Sequence, residues 1–212
     1  MRRPSLFLAL AAVAAVAIAG VAAWHLTPMP GPSGPGTQTA ATTAGPIQVG
    51  GPFELTAHTG ETVTETSFGG KLLLVFFGYT FCPDICPTTL NTVALALDEL
   101  GAEAASVQPL FITVDPARDT PSVLADYVTV FHPSVLGLAG TPEQTAEVAK
   151  AYRAYYAKVE SEDADPEDYL MDHSVMMYLM GPDGRLLTLF SHTASPQEIA
   201  AGIRKHLAQA TS

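Results

Sequence analysis

The two cysteines of this 212-residue chain, Cys82 and Cys86, lie in one stretch, Phe76 to Leu90, which reads Phe-Phe-Gly-Tyr-Thr-Phe-Cys-Pro-Asp-Ile-Cys-Pro-Thr-Thr-Leu. They follow an apolar, strand-like run, Leu72 to Phe77, and precede helical periodicity from Leu90 to Leu100. A C-x-x-x-C pair at such a junction falls near one face of a first helical turn, because residues i and i+4 are neighbours there. The N-terminus of a helix presents free N–H groups and partial positive charge, which favour thiolate over thiol. Thiolate is both the nucleophile of disulfide chemistry and a ligand for soft metals. The pair therefore supports a redox dithiol or a soft-metal clip. The plainer alternative is a structural disulfide or two buried thiols. A bridge between them would close a loop too short to stabilise the fold much through chain entropy. Asp84, between the cysteines, opposes thiolate charge or caps the helix.

The elements around this turn follow from the hydrophobic pattern. Phe53 to Thr56 alternates, His58-Thr59-Gly60 supplies a turn and Val63 resumes, which predicts a short β-hairpin ahead of the main domain. A buried strand over Leu72 to Phe77 leads into the cysteine turn. A helix from about Thr88 to Leu100 carries Leu90, Val93, Ala94, Leu97 and Leu100 on one stripe. Val107 to Val114 is a second buried strand, ending in the turn Asp115 to Pro121. A helix over Pro121 to Phe131 and a short strand over Val135 to Leu138 follow. Pro142 to Lys158 reads as a helix with Thr141 as its cap. Glu160 to Asp172 places seven carboxylates in 13 residues and reads as an exposed loop. Ser174 to Met180 and Arg185 to Phe190 flank Gly181-Pro182-Asp183-Gly184, a hairpin signal. Pro196 to Ala210 closes the chain as a helix capped by Ser195. No internal repeat is present. This alternation predicts a parallel core with antiparallel edge strands. The expected class is α/β, a thioredoxin-like fold with a central mixed sheet flanked by helices.

In that arrangement the loop before the last hairpin faces the dithiol turn. Here it reads Met171-Asp172-His173-Ser174, an imidazole where redox members of the fold usually present proline. Two thiolates and one imidazole suit Cu(I), a d¹⁰ ion comfortable with three ligands, and they also admit Cu(II). Zn(II) would want a fourth ligand. Asp172 is placed to accept a hydrogen bond from the His173 ring. Met171, Met176, Met177 and Met180 read as filler. His58, His132, His192 and His206 receive no role.

Composition narrows the partners. The formal net charge is -11, and Arg2 and Arg3 are the only charges before Glu54. Beyond them, 8 basic residues face 21 acidic ones. That balance excludes nucleic acid, which demands a basic face. Leu6 to Trp24 is an apolar run of 19 residues, long enough to cross a bilayer core of about 30 Å. With Arg2 and Arg3 held on the cytoplasmic side, the rest lies outside. The competing reading is a cleaved signal peptide with Ala17-Ile18-Ala19 as its cleavage box. Thr27 to Pro46 is uncharged and rich in Pro, Gly, Thr and Ser, the composition of a tether reaching roughly 25 Å. The expected division is an anchor or signal peptide over 1–26, a tether over 27–49 and a metal-binding domain over 50–212. The expected site is the bacterial inner membrane, single-pass, with the domain in the periplasm, where disulfides can form.

Three separated motifs resemble the Sco/SenC family. They are Phe-Gly-Tyr-Thr-Phe-Cys-Pro-Asp-Ile-Cys-Pro at Phe77 to Pro87, Val-Asp-Pro-Ala-Arg-Asp-Thr at Val114 to Thr120, and Asp-His-Ser at Asp172 to Ser174, with Tyr-Leu-x-x-Pro-Asp-Gly following. The resemblance implies a thioredoxin fold behind one N-terminal helix, with Cys82, Cys86 and His173 as copper ligands. It further implies delivery of copper to the CuA centre of cytochrome c oxidase during assembly, without enzymatic turnover. The implied partners are the CuA-bearing oxidase subunit and another periplasmic copper chaperone or thiol reductant. For the Asp115-to-Asp119 motif the expectation is structural, bonds that hold the turn beside the site. Reduction of the target's cysteines by a Cys82–Cys86 redox pair stays open as an alternative. A peroxidase of the peroxiredoxin type would leave Cys86 and His173 idle. The acidic stretch Glu160 to Asp172 is a further candidate, for docking a cationic partner face.

Overall fold

The computed structural model describes residues 48–159 and 169–210. The expected anchor and nearly all of the expected tether fall outside them. Among the described residues, no helix is long and apolar enough to cross a membrane.

A seven-stranded mixed sheet forms the frame. In chain order its strands are β1 (Glu54–Ala57), β2 (Thr62–Thr64), β3 (Leu72–Gly78), β4 (Val107–Thr113), β5 (Leu136–Ala139), then β8 (Met176–Met180) and β9 (Leu186–Ser191). Their order across the sheet is β2-β1-β5-β4-β3-β8-β9. Strands β3, β4 and β5 are parallel, and β8 pairs antiparallel with β3. Two further strands, β6 (Tyr156–Val159) and β7 (Leu170–His173), pair among the described residues only with each other and form a separate ribbon. Among the described residues there are four α-helices: α1 (Ile85–Leu100), α2 (Pro121–Val128), α3 (Pro142–Tyr152) and α4 (Pro196–Ala210).

Every residue of β3 is buried. A central strand covered on both faces must be apolar throughout, hence its unbroken Leu-Leu-Leu-Val-Phe-Phe run. Successive side chains point to opposite faces and divide the core. Phe76 packs towards Phe111 and His173, whereas Phe77 meets Tyr152 of α3 and Tyr178 of β8 edge-on. The C-terminal end of β3 therefore opens onto the Phe76 side of the sheet, where the cysteine turn begins.

Several boundaries differ from the sequence reading. The first pair, β1 and β2, does not stand ahead of the domain: β1 pairs with β5, and β2 forms that edge of the main sheet. Helix α1 starts at Ile85, earlier than the expected Thr88, with Pro87 inside its first turn. The first N–H groups of a helix have no intrahelical partner, so proline costs nothing there. Helix α3 stops at Tyr152 instead of running to Lys158. Arg153 takes a left-handed conformation (φ 55°), and the Ala154 N–H returns to the Ala149 carbonyl. A left-handed residue closes the helix, and here it is not the usual glycine. The chain then enters β6. The expected loop ends at Leu170, because residues 170–173 pair with β6 as β7. The rest of that acidic stretch, residues 160–168, lies outside the described residues.

Helix α3 opens with a reciprocal cap: the Gln144 N–H donates to Thr141 Oγ1 at 3.2 Å, and the Thr141 N–H donates to Gln144 Oε1 at 2.9 Å. Thr141→Ala is expected to lower stability by about 1 kcal/mol, read from the midpoint of urea unfolding at unchanged m-value. An unshifted midpoint would show that the cap contributes nothing measurable.

Candidate metal centre

The cysteine turn leaves β3 at Gly78 and runs through Tyr79, Thr80 and Phe81. A buried carboxylate fixes it. Asp119 accepts from the Thr80 N–H at 3.0 Å, the Thr80 hydroxyl at 2.5 Å and, from the end of β4, the Thr113 hydroxyl at 2.6 Å. Burial pushes the Asp119 carboxyl above its ordinary range, and the three donors oppose that shift. Asp115 makes a second set of bonds nearby. It accepts from Arg118 Nε at 2.5 Å and from the Tyr169 hydroxyl at 2.8 Å. The Asp115-to-Asp119 motif thus supplies the bonds that tie the turn, including one to Tyr169 that the sequence did not indicate.

The two cysteines are not equivalent. Cys82 lies in the loop before α1 and is half-buried, whereas Cys86 sits in the first turn and is fully buried. Space for the Cys86 sulfur comes from Gly78, where a Cβ would stand 2.7 Å from Sγ and 2.6 Å from the Phe111 ring. Both thiols are free. The Cys86 N–H donates to Cys82 Sγ at 3.4 Å, as expected where a helix N-terminus meets a sulfur. A hydrogen bond from the Cys86 thiol holds Cys82 down to a pKa of about 3, against the cost of burial, with help from the backbone amides of Cys86 and Asp84. The same bond, with burial, pushes Cys86 far up. The pair therefore loses its first proton from Cys82, and the remaining proton is shared on Cys86.

His173 ends β7, opposite Tyr156 of β6. Its ring lies edge-on to Phe76 and Tyr79, with centroids 6.1 and 5.8 Å away. Its Nδ1 is 3.0 Å from the Ser174 carbonyl oxygen. A carbonyl only accepts, so in the neutral ring Nδ1 carries the proton and Nε2 offers a lone pair. That Nε2 is 3.5 Å from Cys86 Sγ. The bond corrects the expected role of Asp172: adjacent strand residues face opposite ways, and Asp172 is exposed on the far side of β7. Asp84 does not cap the helix through its side chain either; its Oδ1 accepts from the Thr88 hydroxyl at 3.4 Å.

The ligand atoms of Cys82, Cys86 and His173 all lie within 4.8 Å of one another. Two metal–sulfur bonds of about 2.3 Å span roughly 4.6 Å, so a slight contraction lets one ion touch all three. Among the described residues this is the only such group of Cys, His, Asp or Glu. His58 instead accepts from the Gly137 N–H, and His132 bonds Ser134. Met177 and Met180 are core residues, and Met171 and Met176 pack against that core.

Sequence reasoning missed a stack beside the ligands. The Arg118 guanidinium lies over the rings of Phe81 and Tyr169, 4.5 and 3.6 Å from their centroids. The Val114-to-Thr120 motif pointed to Arg118, but nothing marked Tyr169 as its partner.

Comparison with known proteins gives the site its context. A family model described as SCO1/SenC matches residues 41–208. The chain belongs to the SCO1/SenC family. It is 44% identical over 161 residues to the human mitochondrial SCO1 homolog, covering 75% of this chain and 53% of that protein. It is 41% identical over 153 residues to a SCO2-like protein of Rickettsia felis, covering 72% and 74%. The chain spans about half the length of the human relative and of an Arabidopsis thaliana one. Among solved structures it resembles Bradyrhizobium japonicum ScoI with copper bound, at TM-score 0.68 and 44% identity, covering 74% of this chain and 98% of that one. It also resembles BsSco, a Sco family protein with an identified disulfide switch, at TM-score 0.57 and 25% identity, covering 76% and 94%.

Two outcomes are expected of the reduced protein. Iodoacetamide alkylates Cys82 before Cys86, at a rate nearly flat between about pH 5 and about pH 8, because a lowered pKa keeps the thiolate throughout that window. An ordinary thiol would slow about tenfold per pH unit there, and that slope would contradict the hydrogen-bonded pair. Gly78→Ala displaces the Cys86 sulfur, so Cys86 becomes reactive in the folded protein. A Cys86 as inert as before would show that α1 yields instead.

Proposed function

We propose that this SCO1/SenC protein binds one copper ion through Cys82, Cys86 and His173 and delivers it to the CuA-bearing subunit of cytochrome c oxidase during assembly. The observation that carries the reading is the aim of His173: Nδ1–H is spent on the Ser174 carbonyl, and the free Nε2 faces two sulfurs. Relatives from Bradyrhizobium japonicum, Arabidopsis thaliana and yeast have been solved with copper bound. BsSco is described as a member of a family of cytochrome c oxidase assembly proteins. Soft sulfur donors with one imidazole favour Cu(I) and tolerate Cu(II). Copper here is cargo, released by ligand exchange with the receiving site and not turned over. The apolar run Leu6 to Trp24 is proposed to anchor the domain in the inner membrane, facing the periplasm. Loading by another periplasmic copper chaperone and reduction by a thiol reductant complete the proposal.

One observation favours a second reading. A low-pKa, accessible Cys82 backed by a buried Cys86 is the arrangement of an attacking and a resolving thiol. Cys82 thiolate would attack a partner disulfide, and Cys86 would then displace it, leaving the partner reduced and the pair oxidised. His173 has no part in that exchange.

The two readings separate on His173→Ala. The fully reduced protein should bind one Cu(I) per chain in competition with a Cu(I) chelator. His173→Ala should lose that tight binding, keep dithiol exchange and fail to support oxidase assembly. Unchanged copper affinity, or full assembly with the variant, would transfer the function to the thiols alone.

A further inference from the structure

The ligands come from two bodies that differ in how they are held. The cysteine turn is bonded into the main sheet through Asp119. His173 sits on the β6–β7 ribbon, whose strands, among the described residues, pair with each other and not with the main sheet; across to the cysteine turn, the Met171 backbone bonds the Tyr79 side chain. At its base the Ser174 N–H donates to the Tyr155 carbonyl at 2.8 Å and the Tyr155 N–H to Ser174 Oγ at 2.9 Å, bonds that again stay within the ribbon. Besides the Met171 bond, side-chain contacts hold the ribbon against the dithiol.

We propose that Arg118 is the positioning residue that does this, a latch that clamps the His173-bearing ribbon to the cysteine turn and sets how long the site keeps its ion. One ring it covers, Phe81, is the neighbour of Cys82; the other, Tyr169, immediately precedes β7. One carboxylate joins the cation to the second ring: Asp115 accepts from Arg118 Nε on one oxygen and from the Tyr169 hydroxyl on the other. The Arg118 side chain is 14% exposed and that of Asp115 4%, so their ion pair is shielded from water and screened little by salt, while Phe81 forms the exposed outer face of the stack. A planar guanidinium serves both rings at once, which an ammonium cannot do equally well. Lys158 of β6 adds a second cation, 4.2 Å from the Tyr169 centroid. The contacts of Arg118 with Phe81, Tyr169 and Asp115 link the turn to the start of β7, so its effect on the ion passes through the approach of His173.

The inference rests on the copper reading, and its test separates the two. In Arg118→Ala, amide hydrogen exchange of residues 170–173 in the copper-free protein should quicken about tenfold, and Cu(I) affinity should fall by a similar factor through faster release. Tyr169→Leu, which spares the Arg118–Asp115 pair, should do the same, and Arg118→Lys should recover only part. In a His173→Ala background, Arg118→Ala should cost no further affinity. Unchanged exchange in both variants overturns the latch. An equal loss of affinity with or without His173 also overturns it, by assigning Arg118 to general folding. If the native protein binds no tight Cu(I), the copper reading fails, while exchange in the copper-free variants still decides the latch.

Discussion

The centre depends on one buried carboxylate. Asp119 gathers three donors from two segments, Thr80 at the start of the cysteine turn and Thr113 at the end of β4. A carboxylate so enclosed is costly to leave unpaired. Its demand for donors therefore fixes where the turn leaves the sheet. From that fixed point Cys82 falls just before α1 and Cys86 within its first turn. The parallel β3–β4 pair supplies both ends of the clamp, and the hydrophobic core supplies the reason that pair is rigid.

Acid–base chemistry and metal chemistry share the same contacts. The hydrogen bond that keeps a proton on Cys86 makes Cys82 an anion, so half of a dithiolate is already prepared. The Ser174 carbonyl prepares the imidazole by holding its proton on the far nitrogen. An ion bound to both sulfurs would displace the remaining thiol proton, so affinity is tied to pH. The arrangement also explains why redox and metal readings are hard to part by inspection. What makes a thiolate a ligand makes it a nucleophile.

Much of this was legible in the sequence because burial leaves a simple mark. An uninterrupted apolar strand, β3, announced a sheet centre, and the C-x-x-x-C after it could only lie at the sheet's end. The position of His173 followed from chain order. What was not legible depended on side chains far apart in the chain or on local conformations with weak signatures. Pro87 suggested a helix start too late, since proline inside a first turn and proline before a helix look alike in sequence. Arg153 ends α3 in a conformation usually taken by glycine, so the β6 strand behind it was read as helix. Asp172 looked like the partner of His173 by adjacency, but strand alternation sends the two apart. The Arg118 stack joins residues 81, 118 and 169, and no spacing rule connects them.

Cys86 has a consequence for the direction of traffic. Its sulfur is walled in by Gly78, Phe111 and the helix, and it is fully buried. On the proposed delivery, an ion held here would be open to an incoming thiolate from the side of Cys82 and His173, and those two bonds would yield before the third. Depth below the surface would then set the order of handover, with the most secluded sulfur letting go last.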